Sequence, residues 1–91
     1  MNNKIKTFED IKKDALQEGP QSYGEVMAIE LFGQLMAIRD QKGISQRKWS
    51  ELSGVAQKTI SRLENGLDTP RLQTALKLSA ALGYTLKLET I

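Results

Sequence analysis

Residues 45–66, SQRKWSELSGVAQKTISRLENG, have the pattern of two short helices joined by a tight turn. In the first helix, Trp49 and Leu52 lie three residues apart and predict one apolar stripe. In the second helix, Ile60 and Leu63 repeat that spacing. Because each stripe is narrow, the remaining surface of both helices is predicted to be polar.

The outer face of the second helix is predicted to carry hydrogen-bonding side chains and no carboxylate: Gln57, Lys58, Ser61 and Arg62. A helix fits the major groove of DNA, where Gln can bond an adenine edge and Arg can bond a guanine edge. This face therefore predicts a DNA-reading helix.

The same stretch resembles the Cro/C1-type (XRE family) helix-turn-helix of lambdoid phage repressors, without gaps over about residues 35–83. The matching positions are Gln46, Trp49 (usually Leu), Leu52, Gly54, Val55, Gln57, Ile60, Leu63, Glu64, Asn65 and Gly66. Ala56 departs from the pattern, because the family usually has Ser or Thr there as a helix cap. We expect that departure to lower stability and to remove one phosphate contact.

The resemblance implies an all-α fold, namely a five-helix lambda-repressor-like DNA-binding domain over residues 23–83. It also implies an ion pair between Arg39 and Glu64 that holds the helices carrying these two residues in a fixed relative position. The Ser side chains are expected to cap helices or to contact phosphates. The expected DNA-binding residues are Gln46, Lys48, Gln57, Lys58, Thr59, Ser61 and Arg62.

Residues 1–22 are predicted to form a tail and an extra short helix, which begins at Phe8 with Thr7 as its cap and ends near Gln17. A second cap pattern at Ser22 predicts that the next helix begins there and ends near Lys42. The short helix carries an apolar stripe that it cannot cover alone, and we expect it either to contact a partner protein or to fold back on its own chain. The candidate contact residues are Phe8, Ile11 and Leu16.

Residues 69–83 predict a last helix, with Thr69 as its cap and Pro70 at its first position. Residues 84–91 then alternate apolar and polar side chains, which predicts a short C-terminal β-strand. A single strand in a helical chain lacks an internal partner, so we expect it to pair with its own copy in a homodimer, or else to fray. The expected dimer contacts are Tyr84, Leu86 and Leu88.

The composition argues against an enzyme. Histidine and cysteine are both absent from the 91 residues, so the commonest general base and the commonest zinc ligands are missing. We therefore expect no catalytic residues, no metal and no cofactor.

The basic charge is concentrated in the second part of the chain: residues 1–30 contain four Lys against six acids, whereas residues 31–91 contain nine Lys and Arg against five acids. That distribution favours a DNA contact by the later residues. The absence of a long apolar run predicts a cytoplasmic protein without membrane contact.

The flanking segments favour one class of DNA-binding protein over another. The acidic N-terminal helix, the motif AIRDQKGISQ at residues 37–46 and the terminal strand are similar to HigA-type antitoxins. The resemblance implies a dimer that binds an inverted-repeat operator, represses its own operon and neutralises a HigB/RelE-type mRNA interferase toxin. Two alternatives stay open: a stand-alone phage-type or chromosomal repressor, and a HipB-type partner of a kinase toxin.

Overall fold

The computed structural model describes residues 6–91, and the first five residues of the predicted tail lie outside this range. The described chain is all-helical and forms two compact units, one ending at Glu30 and the other running from Leu31 to Ile91. Its helices are α1 (Phe8–Glu18), α2 (Pro20–Gln41), α3 (Gln46–Ser53), α4 (Gln57–Glu64) and α5 (Leu72–Ala81). The five helices of the described chain include the N-terminal α1, so the expectation of five helices within residues 23–83 was wrong: that range contains four, α2 to α5.

Helix α1 begins with the predicted capping box. The Thr7 hydroxyl accepts a hydrogen bond from the Asp10 backbone N–H at 3.2 Å, and the Thr7 N–H donates to the Asp10 carboxylate at 3.2 Å. These bonds, first the one from the Thr7 backbone, lower the pKa of the Asp10 carboxyl below its ordinary value. The helix ends at Glu18, one residue beyond the predicted end, because Gly19 follows with a positive φ of 128°.

Helix α2 begins at Pro20, two residues before the predicted cap at Ser22, so that prediction was wrong. Proline suits the first position of a helix because its φ is already close to the helical value and its missing N–H needs no partner there. Gly19 lets the chain turn directly from α1 into that position. Ser22 therefore lies in the first turn of α2.

The core of the unit over residues 31–91 surrounds Trp49, which has no exposed surface. Its ring stacks on Phe32 with centroids 6.0 Å apart, and its indole N–H donates to the Leu78 carbonyl at 3.1 Å. Phe32 was not among the residues predicted for the core, and Leu52, predicted to lie on the apolar stripe of α3, is half exposed. The buried apolar residues of this cluster are Phe32, Leu35, Trp49, Val55, Ile60, Leu63, Leu78 and Leu82.

Helix α5 begins at Leu72 and not at Pro70, so the predicted Thr69 cap was wrong. Arg71 occupies the cap position in an extended conformation, and its side chain makes no cap hydrogen bond. The helix buries Leu78 and Ser79, and the Ser79 hydroxyl is satisfied by the carbonyl one turn earlier, at Ala75, at 2.7 Å.

The predicted C-terminal β-strand is not present in the described chain, where residues 84–91 have no regular secondary structure. Strand formation requires a neighbouring strand to pair the backbone N–H and C=O groups. Residues 6–83 form helices and turns and offer no sheet edge for that pairing. Alternating apolar and polar residues were therefore insufficient to specify a strand in a single chain.

Candidate DNA interface

The turn between α3 and α4 is held by local hydrogen bonds. The Ser45 hydroxyl caps α3 by accepting from the Lys48 N–H at 3.0 Å, and Gly54 ends the helix with a φ of 75°. The Ser50 hydroxyl then donates to the Val55 carbonyl at 2.6 Å. Val55 is buried in the core, so the turn is fixed both by these bonds and by packing. This turn sets the direction in which α4 leaves α3.

Helix α4 begins without a side-chain cap, as expected from Ala56. The first N–H groups of the helix therefore lack the hydroxyl partner that Ser or Thr supplies. Ile60 and Leu63 are buried, which turns the opposite face of the helix outward. Gln57, Lys58 and Arg62 are exposed on that helix.

The predicted DNA-binding residues lie on α3 and α4. On α4, Thr59 and Ser61 are partly buried and accompany the three exposed residues. On α3, Lys48 is exposed, and its ammonium lies 4.0 Å from the Glu51 carboxylate, a contact that solvent screens strongly. Gln46 is partly buried at the first position of α3. Their roles towards DNA stay predictions.

The predicted pair of Arg39 and Glu64 is present and includes a third residue. Arg39 Nε donates to Glu64 Oε2 at 2.8 Å and Nη2 donates to Oε1 at 3.2 Å, while Nη1 donates to the Ile44 carbonyl at 2.7 Å. Gln46 Nε2 donates to the same Glu64 Oε1 at 2.6 Å. The network joins the end of α2, the start of α3 and the end of α4. The Gln46 side chain, which we predicted as a phosphate contact, thus has a partner within the fold.

Asp68, which the sequence analysis did not select, lies against the predicted base-reading residue Arg62. Arg62 Nε donates to Asp68 Oδ2 at 2.6 Å, and Nη2 lies 3.5 Å from Oδ1. The hydrogen bond from Arg62 lowers the pKa of the Asp68 carboxyl and raises the pKa of the guanidinium. Both groups therefore stay charged at neutral pH. The six-residue separation crosses a loop, and no sequence motif indicated this contact.

The other predicted contact residues lie outside this interface. In the unit that ends at Glu30, Phe8, Ile11 and Leu16 are 37%, 39% and 42% exposed on α1. In the other unit, Tyr84 and Leu88 are exposed in the C-terminal segment, whereas Leu86 is partly buried. None of the described helices is both long and apolar enough to cross a membrane.

Comparison with known proteins identifies the family. Residues 35–88 match the helix-turn-helix family, and this range contains both α3 and α4. The chain therefore belongs to the helix-turn-helix family, of the Cro/C1 type, whose members are typically DNA-binding transcriptional regulators and not enzymes.

Two relatives are described as regulators. The chain is 45% identical over 62 residues to an uncharacterized HTH-type transcriptional regulator of Haemophilus influenzae, covering 68% of this chain and 63% of that protein. It is 40% identical over 52 residues to the HTH-type transcriptional regulator PuuR of Escherichia coli, covering 57% of this chain and 28% of PuuR. The chain thus spans less than two thirds of the length of either regulator.

A solved structure is similar over the whole chain. It is described as a toxin-antitoxin module from Streptococcus pneumoniae, is 33% identical to this chain, and superposes with a TM-score of 0.66. The alignment covers 100% of both chains, so it includes the N-terminal residues that the family match does not.

Proposed function

We propose that this helix-turn-helix protein is a HigA-type antitoxin, which binds operator DNA as a dimer, represses its own operon and neutralises a HigB/RelE-type mRNA interferase. The observation that carries the proposal is the full-length similarity to a toxin-antitoxin module, because it extends beyond the DNA-binding helices. The partly exposed apolar residues of α1 support a protein partner at that end.

The DNA-binding part of the proposal places α4 in the major groove. Gln57 at the start of α4 is suited to bond an adenine through N6 and N7, and Arg62 is suited to bond a guanine through O6 and N7. Lys48 on α3 contacts a phosphate, and the uncapped N–H groups at the start of α4 favour negative charge nearby.

Replacing Gln57 or Arg62 by alanine is expected to weaken operator binding by about 1–3 kcal/mol and to relax the preference at one base position each. The measurement is binding of each variant to a panel of single-base operator variants at fixed salt. Lys48→Ala is the matched control, because losing a phosphate contact weakens all sequences alike. A uniform loss for Gln57→Ala, equal to that of Lys48→Ala, contradicts base reading by Gln57.

The proposal includes a dimer in which each copy contributes one reading helix. Two α4 helices related by a two-fold axis read half-sites about 34–36 Å apart, so the operator is an inverted repeat. The exposed apolar side chains of the C-terminal segment, foremost Tyr84 and Leu88, support a contact between copies there. The proposal places the contact in this segment, beyond the helix-turn-helix itself.

The proposed toxin contact lies on α1 and the start of α2. Ile11 lines a groove of about 260 Å³ that also has three carboxylates along it, from Asp14, Glu18 and Glu25. Lys6 lines the groove too and pairs with Asp14, which leaves the Glu18 and Glu25 carboxylates as its net acidic charge. An apolar floor with acidic neighbours complements a basic protein, and mRNA interferases of the proposed class are basic. Charge and apolar area therefore support the same partner.

Serine substitutions at Phe8, Ile11 and Leu16 in the full chain are expected to weaken toxin binding, each by more than about 1 kcal/mol if the residue lies at the centre of the contact. Operator binding should be unchanged. The measurement is the affinity for the protein encoded by the adjacent reading frame. Leu67→Ser, at an exposed apolar residue of the other unit, is the control. Unchanged toxin affinity in all three variants removes α1 from the contact.

A stand-alone regulator is the second candidate, because both relatives are described as transcriptional regulators and neither as an antitoxin. A HipB-type partner of a kinase toxin is a variant of the first proposal with a different toxin. The adjacent reading frame distinguishes these functions: a short basic protein supports the antitoxin, a kinase supports the HipB-type role, and neither supports the stand-alone regulator.

A further inference from the structure

The two arginines that form close ion pairs in the unit over residues 31–91 use their donors differently. Arg39 is 18% exposed, and all three of its guanidinium nitrogens donate hydrogen bonds within the fold. Arg62 is 47% exposed and pairs with Asp68 only through Nε and, more weakly, Nη2. Arg39 is therefore fully engaged in structure, whereas Arg62 retains donors for another partner.

Asp68 contacts one edge of the Arg62 guanidinium, and this determines which donors remain for another partner. Guanidinium presents two bidentate edges, one formed by Nε and Nη2 and the other by Nη1 and Nη2. Asp68 occupies the first edge. Within residues 6–91, Nη1 of Arg62 has no hydrogen-bond partner, so the outer edge stays available. An arginine can bond guanine O6 and N7 together through that outer edge.

We propose that Asp68 is a positioning residue that orients the guanidinium of Arg62 for bidentate recognition of guanine. The inference rests on the proposed DNA-binding function and adds a specificity-determining residue to it. Asp68 lies in the loop between α4 and α5 and does not itself contact the base. Its carboxylate restricts the torsions of a long, half-exposed side chain, so less conformational entropy is lost when the guanine contact forms.

The carboxylate also discriminates against non-specific contacts. A negative charge beside Arg62 repels the phosphate backbone, so it disfavours a complex in which Arg62 rests on a phosphate. Removing Asp68 is therefore expected to have opposite effects on the two kinds of DNA. Preference for guanine falls, while affinity for unrelated duplex DNA stays the same or rises. Simple competition between Asp68 and DNA for Arg62 would instead raise both affinities together.

The test uses the whole 91-residue chain and duplexes that it selects from a randomised pool. Asp68→Asn keeps the shape of the side chain and removes its charge. We expect it to lower the preference for guanine at the position read by Arg62 by about two- to fivefold, the factor corresponding to an exposed ion pair. Preferences at the other positions stay unchanged. Asp68→Glu, which keeps the carboxylate, should retain more of the guanine preference than Asp68→Asn.

Two further variants separate positioning from general charge effects. Asp40→Asn makes the same change of charge at an exposed aspartate that forms no ion pair within residues 6–91, and should leave base preference unchanged. In an Arg62→Ala background, Asp68→Asn should not change base preference further. An unchanged guanine preference in Asp68→Asn, or tighter binding to selected and unrelated duplexes alike, overturns the proposal. If the wild-type chain selects no sequence at all, the proposed function fails first, and the role of Asp68 fails with it.

Discussion

Replacing Trp49 by alanine is expected to lower the free energy of unfolding by about 3–5 kcal/mol. The side chain has no exposed surface, stacks on Phe32 and donates a hydrogen bond to the Leu78 carbonyl. Its removal leaves a cavity where α2, α3 and α5 meet and leaves a buried carbonyl with one partner fewer. The free energy of unfolding of a small domain is about 5–15 kcal/mol in total, so this single change removes a large part of its stability.

The measurement is urea denaturation followed by circular dichroism, because Trp49 is the only tryptophan of the chain and the variant has no indole fluorescence. Trp49→Phe is the matched control. It keeps an aromatic ring in the core and loses the bond to Leu78, so a loss of about 1–2 kcal/mol is expected. Equal losses in the two variants would show that ring volume does not determine the stability of this core.

The helix-turn-helix itself was predictable because its signals are local. The two helices and the turn predicted over residues 45–66 are present, since Ser45 and Gly54 mark the ends of α3 by short-range bonds and left-handed geometry. The missing cap at Ala56 was equally visible in the sequence. The predicted starts of α2 and α5 were wrong: α2 begins at Pro20, two residues before the Ser22 cap, and α5 begins at Leu72, after a cap position that makes no side-chain bond.

The core and the C-terminal segment were less predictable because they depend on distant residues. Phe32 is buried because it meets Trp49, which follows 17 positions later in the chain. The predicted strand required a pairing partner, and residues 6–91 of a single chain contain none. Periodicity indicates which side chains share a face, but not what covers that face.

The candidate site was predictable in its residues and less so in their contacts. The family pattern indicated the pair of Arg39 and Glu64, and the structure confirms it. The bond from Gln46 to Glu64 and the pairing of Asp68 with Arg62 have no motif, because they depend on how α4 is placed relative to α3 and to the following loop. Gln46→Ala would remove the bond to Glu64 as well as any phosphate contact. Lys48→Ala is therefore the better control for the loss of a phosphate contact alone.

The network around Glu64 is the second place where one substitution is expected to have a large effect. The Glu64 side chain is only 8% exposed, and three hydrogen bonds from Arg39 and Gln46 compensate its charge. Arg39 also lies over the Trp49 ring, with its guanidinium carbon 5.7 Å from the ring centroid. Arg39 thus connects the charged network to the core, and its loss affects both.

Arg39→Met is expected to lower the free energy of unfolding by up to about 3–5 kcal/mol, the cost for a fully buried pair, because it leaves the largely buried Glu64 carboxylate without its cation. Denaturation midpoints at constant pH measure the effect. Arg47→Met is the control. Arg47 is exposed and forms a weak ion pair with Glu51 at 3.6 Å, so the free energy of unfolding is expected to change by no more than about 0.5 kcal/mol. Replacing both Arg39 and Glu64 by methionine should recover part of the loss, since no unpaired charge then remains buried. If Arg39→Met costs no more than Arg47→Met, the ion pair does not stabilise the junction of α2 and α4, and the orientation of α4 depends on apolar packing alone.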